Sequence, residues 1–247
     1  MHIPDGMLDT KTWVTAAAGS AGLVGYAVRT VRRTMPRQRI VLMSLVAALV
    51  FALQMLNFPV AGGTSGHFAG GAAAAILLGP WPAVLVMTTV LLVQAFVFAD
   101  GGISALGANV LTLGIVAPLA GWAVYRLAAG AAPGRARGFA ASFGAAWCGS
   151  VAAALAAALL LWTSGRLPLL LGLGAMGFWH ALTGIGEGLI TAGLVAYVAA
   201  VRPDLIGAQQ DRPAGEVRGV AVGLGAAALV AAGLSFLASS APDALEH

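Results

Sequence analysis

Charge is scarce in this chain. Only 9% of its 247 residues are charged, 60% are hydrophobic, and the mean hydropathy is +0.91. Soluble domains carry about 25% charged residues, so the composition excludes a soluble globular protein and predicts a polytopic membrane protein. Cysteine is scarcer still. Cys148 alone excludes an intrachain disulfide and any cysteine-based metal cluster, and in its apolar stretch it reads as a small buried residue. No Gly-Lys-Ser/Thr follows the glycines at 62, 63 and 66, so that run is not a P-loop, and no other nucleotide-binding motif occurs. No His-Glu-x-x-His occurs either, and His180 with Glu187 is wrongly spaced for one, which argues against an intramembrane metalloenzyme. The start lacks a basic segment, and no cleavage site follows an apolar core, so it is not a signal peptide. The pI near 10 does not indicate nucleic-acid binding, because nearly all the positive charge is arginine in short loops.

What is present in quantity is apolar runs. A helix needs about 20 such residues to cross a bilayer. Spans are predicted at about 13–31, 40–57, 66–79, 81–99, 103–127, 139–164, 169–201 and 218–239, the third short and glycine-rich. With the N-terminus outside and the loops alternating, only Lys11 and Arg166 of the 13 basic residues fall outside. The positive-inside rule therefore favours eight spans with both ends out. Asp5, Asp9, Asp100, Asp243 and Glu246 then make an acidic outer face that attracts cations. In the first span Ala17, Ala21 and Gly25 recur every four residues, a stripe that admits a close helix from within the fold or from a partner subunit.

Four histidines occur, His2, His67, His180 and His247. His247 follows Leu-Glu, the pattern of an affinity-tag junction, and is set aside. His2 is either a residue of a frayed tail or part of a terminal chelate. The amine of Met1, the backbone nitrogen of His2 and its imidazole form fused rings around one ion, and a metal able to deprotonate the amide, such as Ni²⁺ or Cu²⁺, favours such a square-planar set. Ile3 precedes proline, which biases it to extended geometry, and Pro4-Asp5-Gly6 is a turn sequence, so the terminus is expected to bend back. Met1 is expected to persist, since a bulky second residue disfavours its removal. A fourth nitrogen must come from elsewhere. The loop Asn57 to His67 lies on the same outer side, with Gly62, Gly63 and Gly66 permitting a tight path and Thr64 and Ser65 able to bond freed backbone or cap span three. His67 stands at its end, either as a structural histidine or as that ligand.

Within the spans lie Gln54, Gln94 and Asn109, expected to bond across helices. His180 and Glu187, seven apart on span seven, share a helix face and serve either a cation path or a polar clasp between helices. Glu187 is the deeper of the two, too deep to bind the same ion as Met1.

Together, Met1-His2-Ile3-Pro4-Asp5-Gly6, Gly62-Gly63-Thr64-Ser65-Gly66-His67, Gly79-Pro80-Trp81, Phe98-Ala99-Asp100-Gly101-Gly102 and Gly184-Ile185-Gly186-Glu187-Gly188 resemble the CbiM/NikM family, the substrate-capture (S) components of energy-coupling-factor transporters for cobalt or nickel. The resemblance covers roughly 1–201. It implies an all-α polytopic membrane protein with a seven-helix S-component bundle and one appended C-terminal transmembrane helix. It also implies that Met1, His2 and His67 ligate the metal; Thr64, Ser65, Asn109, His180 and Glu187 are second-shell or pathway candidates by their own chemistry and placement. Residues 202–217 then form a cytoplasmic linker, and 218–247 a CbiN-like helix with an outer tail. Pro242-Asp243-Ala244-Leu245-Glu246 departs from the PDGLE pattern of that accessory segment by an alanine, and the chain stops before a second accessory helix, so that helix is either missing or a separate subunit.

The resemblance implies Co²⁺ or Ni²⁺ as transported substrate, without an organic cofactor. It implies a transmembrane coupling (T) component, two cytoplasmic ATPases and a CbiN-like small membrane subunit as partners, in the inner or plasma membrane. The small-residue face of the first spans is the expected coupling contact. The alternative is a passive or secondary metal transporter that works without ATPases.

Overall fold

The computed structural model describes residues 2–55, 57–60, 64–130 and 133–210, and only the main chain of Gln38, 57–60, 64–67 and 207–210. Met1 and the expected span at 218–239 lie outside the described residues. What is described is all-α in architecture with one short hairpin.

Helix α1 (Thr10–Thr34) starts where Asp9 accepts the Thr12 N–H at 3.1 Å, and it ends on Arg32 and Arg33, whose charge suits the C-terminal dipole. After α2 (Gln38–Gln54) the chain forms an antiparallel hairpin, β1 (Asn57–Val60) with β2 (Thr64–His67), in which Asn57 pairs with His67. The third span, expected from residue 66, therefore begins only at α3 (Gly71–Leu78). Gly70 makes the corner at φ +76°, and a Cβ there would lie 2.7 Å from Val50 Cγ1. Eight residues rise about 12 Å, well short of a bilayer core of about 30 Å. All eight are buried, so protein rather than lipid surrounds the helix ends.

Gly79 and Pro80 turn the chain into α4 (Pro80–Val97). The fifth span is one rod in three parts: α5 (Leu106–Asn109), a π-helical stretch Val110–Val116, and α6 (Ala117–Ala129). Pro118 has no N–H for the Gly114 carbonyl and its ring crowds that group, and the wider turn before it makes room. Helices α7 (Arg135–Thr163) and α8 (Leu169–Val201) pair along their length. Small residues allow close packing on both sides of α7: a Cβ on Gly188 of α8 would lie 2.6 Å from Phe143 Cδ2, one on Gly149 would lie 2.8 Å from the Ala117 carbonyl of α6, and Ala145, Ala146, Ala153 and Ala154 are fully buried. Pro203 opens a short α9 (Pro203–Gln210) in the segment expected to be a linker, with Arg202 and Asp204 paired at 2.8 Å across its first turn.

Pro80–Val97, Leu106–Ala129, Arg135–Thr163 and Leu169–Val201 are each long and apolar enough to cross a membrane. The chain is a multi-pass membrane protein. The stripe on α1 divides. Ala17 packs against Gly107, while Ala21 is exposed and a Cβ on Gly25 would meet nothing within 4 Å. Helical rotation explains this, because a four-residue step drifts off one face.

Candidate metal site

The N-terminal strap, residues 2–9, lies across one end of the bundle and is held by four groups of contacts. Asn109 meets Ile3 twice, accepting its N–H at 2.8 Å on Oδ1 and donating from Nδ2 to its carbonyl at 3.0 Å. The Gly102 N–H donates to the same carbonyl at 3.0 Å. The Asp5 carboxylate accepts the N–H groups of Ile103 (3.1 Å) and Ser104 (2.7 Å) and the Ser104 hydroxyl, and these bonds, the Ser104 hydroxyl first, hold its pKa below the usual carboxylate value. Arg166 donates to the Gly6 carbonyl at 3.1 Å, and Ser164 to Asp9 at 3.2 Å. Gly6 at φ +82° provides the bend of the Pro4-Asp5-Gly6 turn. Ile3 is 4% exposed, so this terminus is packed into the protein.

The His2 side chain is 6% exposed, and its Nδ1 lies 3.1 Å from Asp100 Oδ1. The turn Asp100-Gly101-Gly102 is its floor. A Cβ on Gly101 would lie 3.3 Å from His2 Cβ, and one on Gly102 would collide with the main chain of Pro4 and Asp5. The sequence marks this turn and counts Asp5 and Asp100 in an acidic outer face, but it reveals neither the contact of Asp100 with His2 nor the bonds of Asp5 to Ser104 and Ile103.

The second arm is the segment after His67. The side chains of Thr64, Ser65 and His67 lie outside the described residues, but the main chain beyond them is fixed. Phe68 and Ala69 are buried, and Gln54 Nε2 donates to the Ala69 carbonyl at 2.6 Å. The Gly70 N–H donates to Glu187 Oε1 at 3.3 Å. Gln94 Nε2 donates to Gln54 Oε1 at 2.7 Å, bonding α4 to α2 across helices. Asn109 does not bond across helices. It joins its rod to the strap instead, because the strap's main chain carries polar groups that burial would otherwise leave unpaired. His180 lies on the same helix as Glu187 with Nδ1 2.9 Å from the Met176 carbonyl one turn back, and the recorded bonds of the two residues lead to different places.

Among the described residues no three His, Cys, Asp or Glu side chains converge. The described side chains alone therefore do not make a cation site, and the Met1 amine and the His67 ring lie outside the described residues. A cavity of about 990 Å³, lined by Tyr125, Arg135, Phe139, Val195, Pro203 and Ile206, sits at the opposite end of α7 from the strap.

Residues 2–205 match the family model described as CbiM, cobalt uptake substrate-specific transmembrane region. The chain belongs to the CbiM family. The fused nickel transport protein NikMN of Rhodobacter capsulatus is 38% identical over 245 residues, covering 93% of this chain and 70% of its own. The NikMN relative of Archaeoglobus fulgidus is 42% identical over 206 residues, covering 83% of this chain and 68% of its own. Among solved structures, the crystal structure of a truncated transition metal transporter superposes with a TM-score of 0.73 at 32% identity, covering 81% of this chain and 99% of that one. As a CbiM-family member, the chain is a membrane protein of cobalt and nickel transport.

Proposed function

We propose that this chain is the substrate-capture component of an energy-coupling-factor transporter, taking one Co²⁺ or Ni²⁺ at the outer face for ATP-dependent import. The ligands are the Met1 amine, the His2 amide nitrogen, His2 Nδ1 and the His67 imidazole, four nitrogens in a plane. The observation that supports this reading is the docking of the strap: Ile3 is clamped at both main-chain polar groups by Asn109, which holds the neighbouring His2 in place. A frayed tail would not be held so. His2 Nδ1 is the ring nitrogen that closes a six-membered ring with the residue's own amide nitrogen. It faces Asp100, so ligation draws the imidazole away from that carboxylate.

The strap end is the outer one on this reading, which agrees with the arginines at the opposite ends of α1 and α7. A T component and two cytoplasmic ATPases supply the energy. The exposed small residues Ala21 and Gly25 of α1 give the T component a close approach. The fused names of the NikMN relatives support a CbiN-like element as a further partner, supplied here by residues 218–247 or by a separate subunit.

Reconstitution in vesicles tests the transport reading. Uptake of ⁶³Ni²⁺ or ⁵⁷Co²⁺ is expected only with the T component, the ATPases and ATP. Equal uptake by this chain alone would show a passive carrier.

A further inference from the structure

We infer that the buried pair Gln54 and Gln94 is the spacer that fixes the distance between the two metal-binding arms. This rests on the reading of His2 and His67 as ligands of one ion. A continuous run of hydrogen bonds joins the arms through these two side chains. The turn Asp100-Gly101-Gly102 holds the strap through the Gly102 N–H, which donates to the Ile3 carbonyl at 3.0 Å, and the Asp100 N–H of the same turn donates to the Gln94 carbonyl at 3.0 Å. The Gln94 side chain donates to Gln54 Oε1 at 2.7 Å, and Gln54 Nε2 donates to the Ala69 carbonyl at 2.6 Å. Ala69 is two residues beyond His67.

The arrangement is more than a polar contact between two helices. The same Gln94 whose main chain holds the turn beneath His2 reaches with its side chain toward the other arm. Gln54, from a different helix, completes the reach to main chain rather than to a third side chain. Both glutamines are buried, at 2% and 0% exposure. Away from water such bonds are stiff, and breaking one leaves a polar group stranded. A planar set of short metal bonds needs its donors held to within about 0.5 Å. His2 and His67 are 65 positions apart in sequence, so local chain geometry cannot set that distance. Glu187, bonded to the Gly70 N–H, anchors the second arm to α8 but does not touch the first.

The test is Ni²⁺ titration calorimetry with absorption spectra in the d–d region, on detergent-solubilised full chain with an authentic N-terminus. The variants are Gln54→Leu, Gln94→Met and, as reference, His67→Ala. Gln54→Leu is expected to lose about tenfold or more in affinity and to shift the d–d band, as outer-shell substitutions at metal sites do. Gln94→Met leaves Gln54 on Ala69 and is expected to lose about threefold or more, again with a shifted band; it carries the test if Gln54→Leu does not fold. A folded variant of either kind that binds within about twofold of wild type, with an unchanged band, overturns the spacer, since an effect of that size is below a single outer-shell contact. Wild-type binding by His67→Ala instead overturns the ligand assignment itself. Loss in His67→Ala without loss in the glutamine variants overturns the spacer alone.

Discussion

Asn109 and Ile3 are joined by two hydrogen bonds, one in each direction, between a side-chain carboxamide and a main-chain residue 106 positions away. The carboxamide occupies the place that a neighbouring strand would take, and it docks the terminus without a sheet. Asn109→Leu removes both bonds and leaves the Ile3 N–H buried and unpaired. A stranded buried group costs about 1–3 kcal/mol, so Ni²⁺ affinity is expected to fall about 5- to 150-fold, the range those energies correspond to. Calorimetry on the variant, with its thermal midpoint measured alongside, checks this.

Gly102 and Gly107 separate docking of the strap from stability of the bundle. A methyl on Gly102 would strike the main chain of Pro4 and Asp5, and one on Gly107 would strike Ala17 of α1. Gly102→Ala is expected to weaken metal binding with little change in the thermal midpoint. Gly107→Ala is expected to lower the midpoint, overpacking of this kind costing about 1–3 kcal/mol. Paired melts and titrations decide it.

Asp5 sets the acid limit of the strap. Its folded pKa lies below the ordinary 3.8 because Ser104 and Ile103 donate to it. A depressed carboxylate contributes stability above its unfolded pKa and loses it as pH falls through the folded value. The Asp5 anchor is therefore constant between about pH 5 and pH 8, and loss of metal in that window follows from protonation of the nitrogen ligands. Asp5→Asn is expected to weaken Ni²⁺ binding at every pH there while leaving the shape of the pH profile unchanged. A profile that flattens in the variant would place the titration on Asp5.

Glu187 holds the Gly70 N–H through one carboxylate oxygen. Glutamine keeps an acceptor in that place and alanine does not. Glu187→Gln is expected to keep the wild-type thermal midpoint and Glu187→Ala to lower it, by a loss of about 1–3 kcal/mol for the unpaired buried amide. A midpoint for Glu187→Gln as low as that for Glu187→Ala would mean that the charge, not the hydrogen bond, is what the fold uses.

The spans were legible because lipid imposes a length and a composition that few other environments do. Seven predicted spans correspond to α1 through α8 with ends shifted by a few residues. The shortness of α3 is written in its glycines, but the pairing of Asn57 with His67 is not, since four-residue strands carry too few alternating positions to stand out. The cross-helix bond of Gln54 and Gln94 followed from the cost of lone polar groups in a membrane, whereas Asn109 obeys the same rule with a main-chain partner that composition cannot reveal. Ala17, Ala21 and Gly25 looked alike as a spacing, and only the packed bundle separates the first from the other two. The turn at Asp100 was visible as glycines; its contact with His2 depends on a tertiary approach across 98 positions.

The proposed chelate depends on the position of the Met1 amine. Calorimetric titration of Co²⁺ and Ni²⁺ into the purified chain, beside a variant with one alanine inserted between Met1 and His2, tests it most directly. The insertion keeps every side chain and moves the amine out of the fused rings. Collapse of tight binding is the expected result, and the preferred ion emerges from the same titrations. Unchanged binding would contradict the terminal chelate and turn attention to His67 with His180.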